Sequence, residues 1–285
     1  MDTVVRSRSK TVVIGPEQPF CVIGERINPT GRKVFQAQLQ AGDLSQLDTD
    51  VAQQVEGGAD MLDVNVGDPL ADEVALMGQA IPLVQQLTDI PLCIDSSVIE
   101  ALEAGLEAYE GKALVNSVTG EAERLEAILP IVAKYGAAVI GLANAEDIPM
   151  EAARRVEIAK KIVARAGEHG IPPEDVIIDP LAMPIGAEPR AVTLFLETLH
   201  LLHDELGVNT TCGAGNTSFG LPGRHTLGAA FLAVAQSHGL TSAIMDSRRP
   251  EMVEGVRATD FLLGRDEWGA TWIRMYRARQ AAAAS

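Results

Sequence analysis

The 285-residue chain carries 39 Asp and Glu against 23 Lys and Arg, a formal charge of −16 with a pI near 4.7. Apolar residues make up 47% and charged residues 22%, with a mean hydropathy of +0.11, which provides for a large core and argues against intrinsic disorder. An acidic surface repels polyphosphate and sets nucleic acid aside as a partner, and no apolar run reaches the roughly 18 residues of a membrane span.

In chain order, Met1–Lys10 is polar and basic, and the apolar run Thr11–Ile14 is too short for the core of a signal peptide. That run, the turn-forming Gly15-Pro16-Glu17-Gln18 and the strand after it read as a β-hairpin able to plug the bottom of a barrel. Short β-branched runs then predict strands at Phe20–Gly24, Met61–Val66, Pro91–Ile94, Ala113–Asn116, Ala138–Leu142, Val176–Ile178, Asn209–Cys212 and Ser242–Met245. Three-to-four residue apolar spacing predicts helices at Leu47–Gly58, Asp72–Thr88, Ser97–Tyr109, Glu121–Tyr135, Met150–His169, Pro189–Leu206, Leu227–His238 and Glu251–Leu263, several closed by Gly.

Strand–helix units at intervals of roughly 20 to 40 residues match the (β/α)8 TIM barrel. Runs such as Val176-Ile177-Ile178 are apolar without alternation, as in a parallel sheet covered by helices. The competing doubly wound sheet lacks its glycine-rich turn, because the first strand ends Gly24-Glu25-Arg26-Ile27-Asn28-Pro29. The expected organisation is an N-terminal extension over 1–19, a barrel over 20–270 and a helical tail over 271–285. Cys21, Cys93 and Cys212 are dispersed, odd in number and without metal-ligand spacing. They read as small core residues in a reducing cytoplasm, with no tightly bound metal.

Barrel chemistry sits at the C-terminal strand ends. These deliver Glu25, Arg26 and Asn28; Asp63 and Asn65; Asp95; Asn116; Asp179; Asn216 after the seventh strand; and Asp246 after the eighth. No nucleophile–base pair is evident among them, so a hydrolytic triad has little support. Carboxylates accept paired hydrogen bonds and carboxamides offer one donor and one acceptor, which suits the 2-amino-4-oxopyrimidine edge of a pterin. Any one of these residues taken alone could equally be a loop cap or a turn-initiating Asp.

Taken in order, Gly24-Glu-Arg-Ile-Asn-Pro-Thr-Gly-Arg-Lys33, Leu62-Asp-Val-Asn-Val-Gly67, Cys93-Ile-Asp-Ser96, Val115-Asn-Ser117, Ile178-Asp-Pro-Leu181 and Gly215-Asn-Thr-Ser-Phe-Gly-Leu-Pro-Gly-Arg224 form a recognisable series. It resembles the methyltetrahydrofolate:corrinoid methyltransferases and the folate domain of cobalamin-dependent methionine synthase, over about Phe20 to Leu263. The resemblance implies a pterin-binding, dihydropteroate synthase-like barrel that moves the N5 methyl group between tetrahydrofolate and the cobalt of a corrinoid (cobalamin) carried on a partner protein. By motif, Asp95, Asn116 and Asp179 would bind the pterin, Asp63 and Asn65 would complete the polar floor, and Asn216 would sit at N5. Arg26, Asn28 and Arg224 would contact the folate tail or order loops. The family commonly has Ser before and Val after the last Asn, where this chain has Gly215 and Thr217. The resemblance also implies a homodimer.

Two other readings share the pocket. Dihydropteroate synthase is disfavoured because Asn28-Pro-Thr-Gly-Arg-Lys33 and Asn65-Val-Gly-Asp-Pro69 replace its loop motifs. A non-catalytic folate-binding subunit would keep the pocket without needing Asn216.

Overall fold

The structure, a computed structural model, describes residues 1–284; Ser285, the last residue of the expected tail, lies outside the described residues. The chain opens with strands β1 (Thr3–Arg6) and β2 (Thr11–Ile14). It continues through β3 (Cys21–Ile27), α1 (Lys33–Gln40), α2 (Gln46–Glu56), β4 (Met61–Val64), α3 (Glu73–Leu87), β5 (Leu92–Asp95), α4 (Ile99–Ala108), β6 (Leu114–Val118) and α5 (Ala122–Tyr135). The second half comprises β7 (Ala138–Leu142), α6 (Ala152–Glu168), β8 (Val176–Asp179), α7 (Ala191–Glu205), β9 (Asn209–Thr210), α8 (Ala214–Thr217), α9 (Arg224–Ser237), β10 (Ser242–Met245), α10 (Pro250–Leu262) and α11 (Ala270–Ala284).

Strands β3 to β10 form one eight-stranded parallel sheet in the order β10-β3-β4-β5-β6-β7-β8-β9. The seam between β9 and β10 carries a single parallel bridge, Gly213 to Ile244. Below it Thr241 stands in for a ladder rung: its hydroxyl accepts from the Thr210 amide at 3.0 Å and donates to the Thr210 carbonyl at 2.9 Å. The expected barrel is thus present, nearly closed, with helices between its strands.

The strands alternate between two apolar environments, as a two-residue side-chain period requires. Val22, Leu62, Leu92, Val115, Val139 and Val176 face the helical layer, whereas Cys21, Ile23, Met61, Cys93, Leu114, Ile140 and Ile177 form a separate cluster inside the cylinder. All three cysteines are free and buried.

The hairpin differs from its expected form. Thr11–Ile14 pairs antiparallel with Thr3–Arg6, not with the first barrel strand, and Gly15–Gln18 leads into the barrel as a connection. The turn-forming residues Ser7–Lys10, closed by Ser7 N–H donating to the Lys10 carbonyl at 2.9 Å, supply the tighter reversal. Its role as a plug holds. Val5 and Ile14 are fully buried in the cluster inside the cylinder. Asn209, at the start of β9, donates to the Ile14 carbonyl at 2.8 Å and to the Thr3 hydroxyl at 2.9 Å, tying the plug to the barrel floor.

Candidate active site

The inward parity of each strand sets the site. Counting two residues beyond inward apolar positions Ile23, Met61, Cys93, Leu114, Ile177 and Ile244 reaches Glu25, Asp63, Asp95, Asn116, Asp179 and Asp246. A polar tier therefore sits directly above an apolar one. Asp63, Asp95, Asn116, Asn216, Arg26, Asn28 and Arg224 line one cleft of about 410 Å³, together with Glu25, Arg32, Phe219 and Asp246. Asn65 and Asp179 stand outside that lining and act on it from behind or beside.

Asn65 uses both ends of its amide within the protein: Nδ2 donates to Asp95 at 2.9 Å and Oδ1 accepts from the Gly67 amide at 2.9 Å. Asn116 donates to Asp63 at 3.1 Å. Asp63 and Asp95 are within hydrogen-bond reach of each other, and burial pushes both carboxyls above the ordinary carboxylate range. Asp63 is the more buried, 2% exposed, and the Asp95 charge raises it further. Of the pair, Asp63 is pushed up by both its burial and the Asp95 charge, while Asp95 faces the cleft.

Burial pushes Asp179 up to about 7, against the amide hydrogen bond from Leu181 at 2.7 Å and the nearby Arg155 charge. Leu181 adopts φ +68°, a left-handed conformation unusual for a branched residue. What holds it is Arg155, fully buried on α6, which donates to the carbonyls of Pro149 (2.9 Å), Leu181 (3.0 Å) and Pro180. Arg155 was absent from the sequence expectations. Its signal was position: it falls on the buried stripe Ala152, Val156, Ala159, Ile162 of an otherwise charged helix.

The first motif has an equally local cause. Any side chain at Gly24 would place Cβ 2.5 Å from Gln54 Oε1, which instead accepts from the Arg26 amide at 2.7 Å. Arg32 forms a two-pronged pair with buried Asp50 at 2.6 and 3.1 Å and lies over the Phe35 ring. Asn28 accepts from the Thr30 amide at 2.9 Å, a turn that stiffens the cleft wall. Arg224 donates to the Gly215 carbonyl at 3.2 Å. A Cβ at Gly215 would stand 2.9 Å from that guanidinium, so glycine before Asn216 fits the arginine's approach.

Asn216 sits on the single helical turn α8, exposed to the cleft. Among the described residues its side-chain amide makes no hydrogen bond, unlike those of Asn65 and Asn116, and so is free to meet a ligand. No group of three or more His, Cys, Asp or Glu among the described residues is placed to hold a metal ion.

Residues 24–246 match the family described as pterin binding enzyme. The chain belongs to the pterin-binding enzyme family. It is 30% identical over 263 residues to a methylcorrinoid:tetrahydrofolate methyltransferase of Eubacterium limosum, covering 90% of this chain and 96% of that protein. It is 31% identical over 259 residues to methionine synthase of Mycobacterium tuberculosis, covering 86% of this chain but 22% of that longer protein. Among solved structures, the dihydropteroate synthase of Xanthomonas albilineans with 4-aminobenzoic acid superposes with a TM-score of 0.71 at 18% identity, covering 92% of this chain and 99% of that one. The Yersinia pestis enzyme with a pterine-sulfa conjugate gives 0.68 at 16%, with the same coverage. At such identities the two structures establish the fold of this family member and no more.

Proposed function

We propose that the protein is a methyltransferase that moves the N5 methyl group between tetrahydrofolate and the cobalt of a corrinoid carried on a partner protein. The observation that carries the reading is the unpartnered Asn216 amide, set in one cleft with Asp63, Asp95 and Asn116. The similarity to the methylcorrinoid:tetrahydrofolate methyltransferase over 90% of the chain supports it.

In this reading Asp95, steadied by Asn65, accepts the paired donors of the pterin's 2-amino-4-oxopyrimidine edge. Asn116 supplies the neighbouring donor or acceptor, and Asp179 meets the ring from the end of β8, two strands away. Asp63, its carboxyl pushed up by burial and the Asp95 charge, keeps the floor from accumulating two negative charges. The corrinoid supplies the nucleophile or the methyl group, so the barrel needs none of its own. What the chain must ease is the departure or attack of an amine nitrogen. Asn216, aimed at N5, stabilises the charge that develops there more in the transition state than in the ground state.

The partner must cover the mouth. Val34 at the start of α1, Leu70 on the loop after β4 and Phe219 just after α8, 65–80% exposed, give it apolar purchase. The proposal includes a homodimer in the cytoplasm, for which exposed Leu262 at the end of α10 and Trp268 beyond it offer an apolar surface. No helix among the described residues is long and apolar enough to cross a membrane.

The test is to mix the purified protein with 5-methyltetrahydrofolate and free cob(I)alamin and follow the corrinoid spectrum. Protein-dependent formation of methylcobalamin is expected. Folate binding with an unchanged spectrum would instead make it a binding subunit, and condensation of a pterin pyrophosphate with p-aminobenzoate would make it a dihydropteroate synthase.

A further inference from the structure

Five carboxylates ring the mouth, and four are accounted for. Asp63 is paired with Asn116, Asp95 with Asn65, Asp179 with the Leu181 amide and Asp246 with Arg248. Glu25 alone makes no hydrogen bond or ion pair among the described residues, although it is largely buried in the cleft wall. It also lines two adjoining spaces, as do Gly215, Arg224 and Asp246. One is the cleft with Asn216; the other is a recess of about 20 Å³, the size of one water molecule, lined in addition by His225. Both ring nitrogens of His225 are buried without a hydrogen-bond partner. A carboxyl with no structural duty thus lines both the proposed reaction site and a water-sized pocket that also meets an unengaged imidazole.

We propose that Glu25 is the proton-exchanging group of this cleft, giving a proton to N5 when the methyl group leaves and taking it back in the reverse direction, with the water-sized recess beside it as its exchange path. The inference rests on the methyl-transfer reading and names the proton source that this reading requires. When the methyl group leaves folate, the N5–CH3 bond breaks as the Co–CH3 bond forms. The electron pair of Co(I) makes the new bond, and the pair of the old bond stays on nitrogen. That pair takes the Glu25 proton, leaving tetrahydrofolate with N5–H and Glu25 as carboxylate, to be reprotonated from solvent. In reverse, N5 attacks the methyl group, the electron pair returns to cobalt and Glu25 carboxylate accepts the N5 proton.

The surrounding charges suit this duty. Burial and the neighbouring Asp246 push Glu25 up to about 7, against the opposing pull of Arg224 on α9, Arg248 beyond β10 and Arg26 on its own strand. From α2, Gln54 holds the Arg26 amide and Asp50 neutralises Arg32; from α9, His225 faces the recess. A carboxyl titrating near neutrality gives and takes a proton with equal ease.

The experiment uses the full chain, 5-methyltetrahydrofolate and free cob(I)alamin, in single turnovers from pH 6 to 8. Wild-type methyl removal should slow as pH rises through about 7, because the acid form is consumed. Glu25→Gln should bind 5-methyltetrahydrofolate within about threefold of wild type, yet transfer roughly 100-fold more slowly at pH 6.5 with a flat profile. Asp179 also titrates near 7, so a second variant is required. Asp246→Asn removes the charge that raises Glu25 and should move the limb to lower pH. A Glu25→Gln protein that keeps the wild-type rate and limb overturns the inference, as does an Asp246→Asn limb that stays in place. A wild-type protein that transfers no methyl group overturns the functional reading, and this inference with it.

Discussion

Asn65 on the loop after β4 donates to Asp95 on β5 at 2.9 Å, so one predicted pterin ligand is aimed by another residue of the same predicted set. With its other end committed to Gly67, Asn65 cannot also serve a ligand fully. Asn65→Ala should leave the fold intact and weaken 5-methyltetrahydrofolate binding about tenfold, the ~1.5 kcal/mol of a hydrogen bond to a charged group. Titration calorimetry measures this directly. Unchanged affinity would mean that Asp95 needs no such aim.

Asn216→Ala should separate binding from turnover. Nothing in the protein depends on the amide, so folate affinity should change little. Methyl transfer should fall about 100-fold or more, because one donor at a developing charge is worth ~2.7–4 kcal/mol. Stopped-flow absorbance at the corrinoid bands reads the rate, and a wild-type rate removes Asn216 from the chemistry.

Asp179 gives the ligand-free protein a pH-dependent stability. Its carboxyl titrates at about 7 when folded, against an ordinary value of 3.8. Between those values the folded chain holds a proton that the unfolded chain has lost. Its stabilising contribution is therefore complete below about pH 4 and is lost as pH rises through about 7. Urea unfolding should show wild type losing more stability between pH 5.5 and 8 than Asp179→Asn does. Equal slopes would place Asp179 in a more solvated setting than its surroundings indicate.

Arg155→Met should be the most destabilising of these changes. It removes the donor shared by the Pro149, Pro180 and Leu181 carbonyls and releases the left-handed Leu181. A loss of about 3–5 kcal/mol in urea unfolding is expected, because three buried carbonyls lose their charged donor, with Arg155→Lys intermediate. Folate affinity should drop in parallel, because Asp179 is fixed through the same turn.

The barrel was legible because each strand was a short apolar run with a turn signal at both ends, and because the inward polar residues fell two positions beyond apolar ones. The helix α1 was missed although Phe35 and Leu39 stand four apart and are both buried, since the polar loop before it hid its start. The turn α8 was missed for a different reason: four residues hold too little periodicity to register. The hairpin was placed one strand too late because Val12 and Val13 make a good strand with either neighbour, and only the tertiary contacts of Val5 and Ile14 decide between them. In the site, motif order placed Asp63, Asp95, Asn116 and Asn216 in one cleft. It gave no hint that Asn65 is spent on Asp95, that Arg155 supports the Asp179 turn, or that Glu25 is left without a partner, since all three depend on what folds against them.

Because Val5 and Ile14 stopper the floor of the cylinder, it has one doorway and two visitors. On the proposed reading, folate binds at Asp95 within the cleft while the corrinoid carrier lands on the exposed rim at Phe219 and Leu70. With one way in, the smaller molecule would arrive before the larger one and wait for it to depart, a compulsory order with the carrier last in and first out.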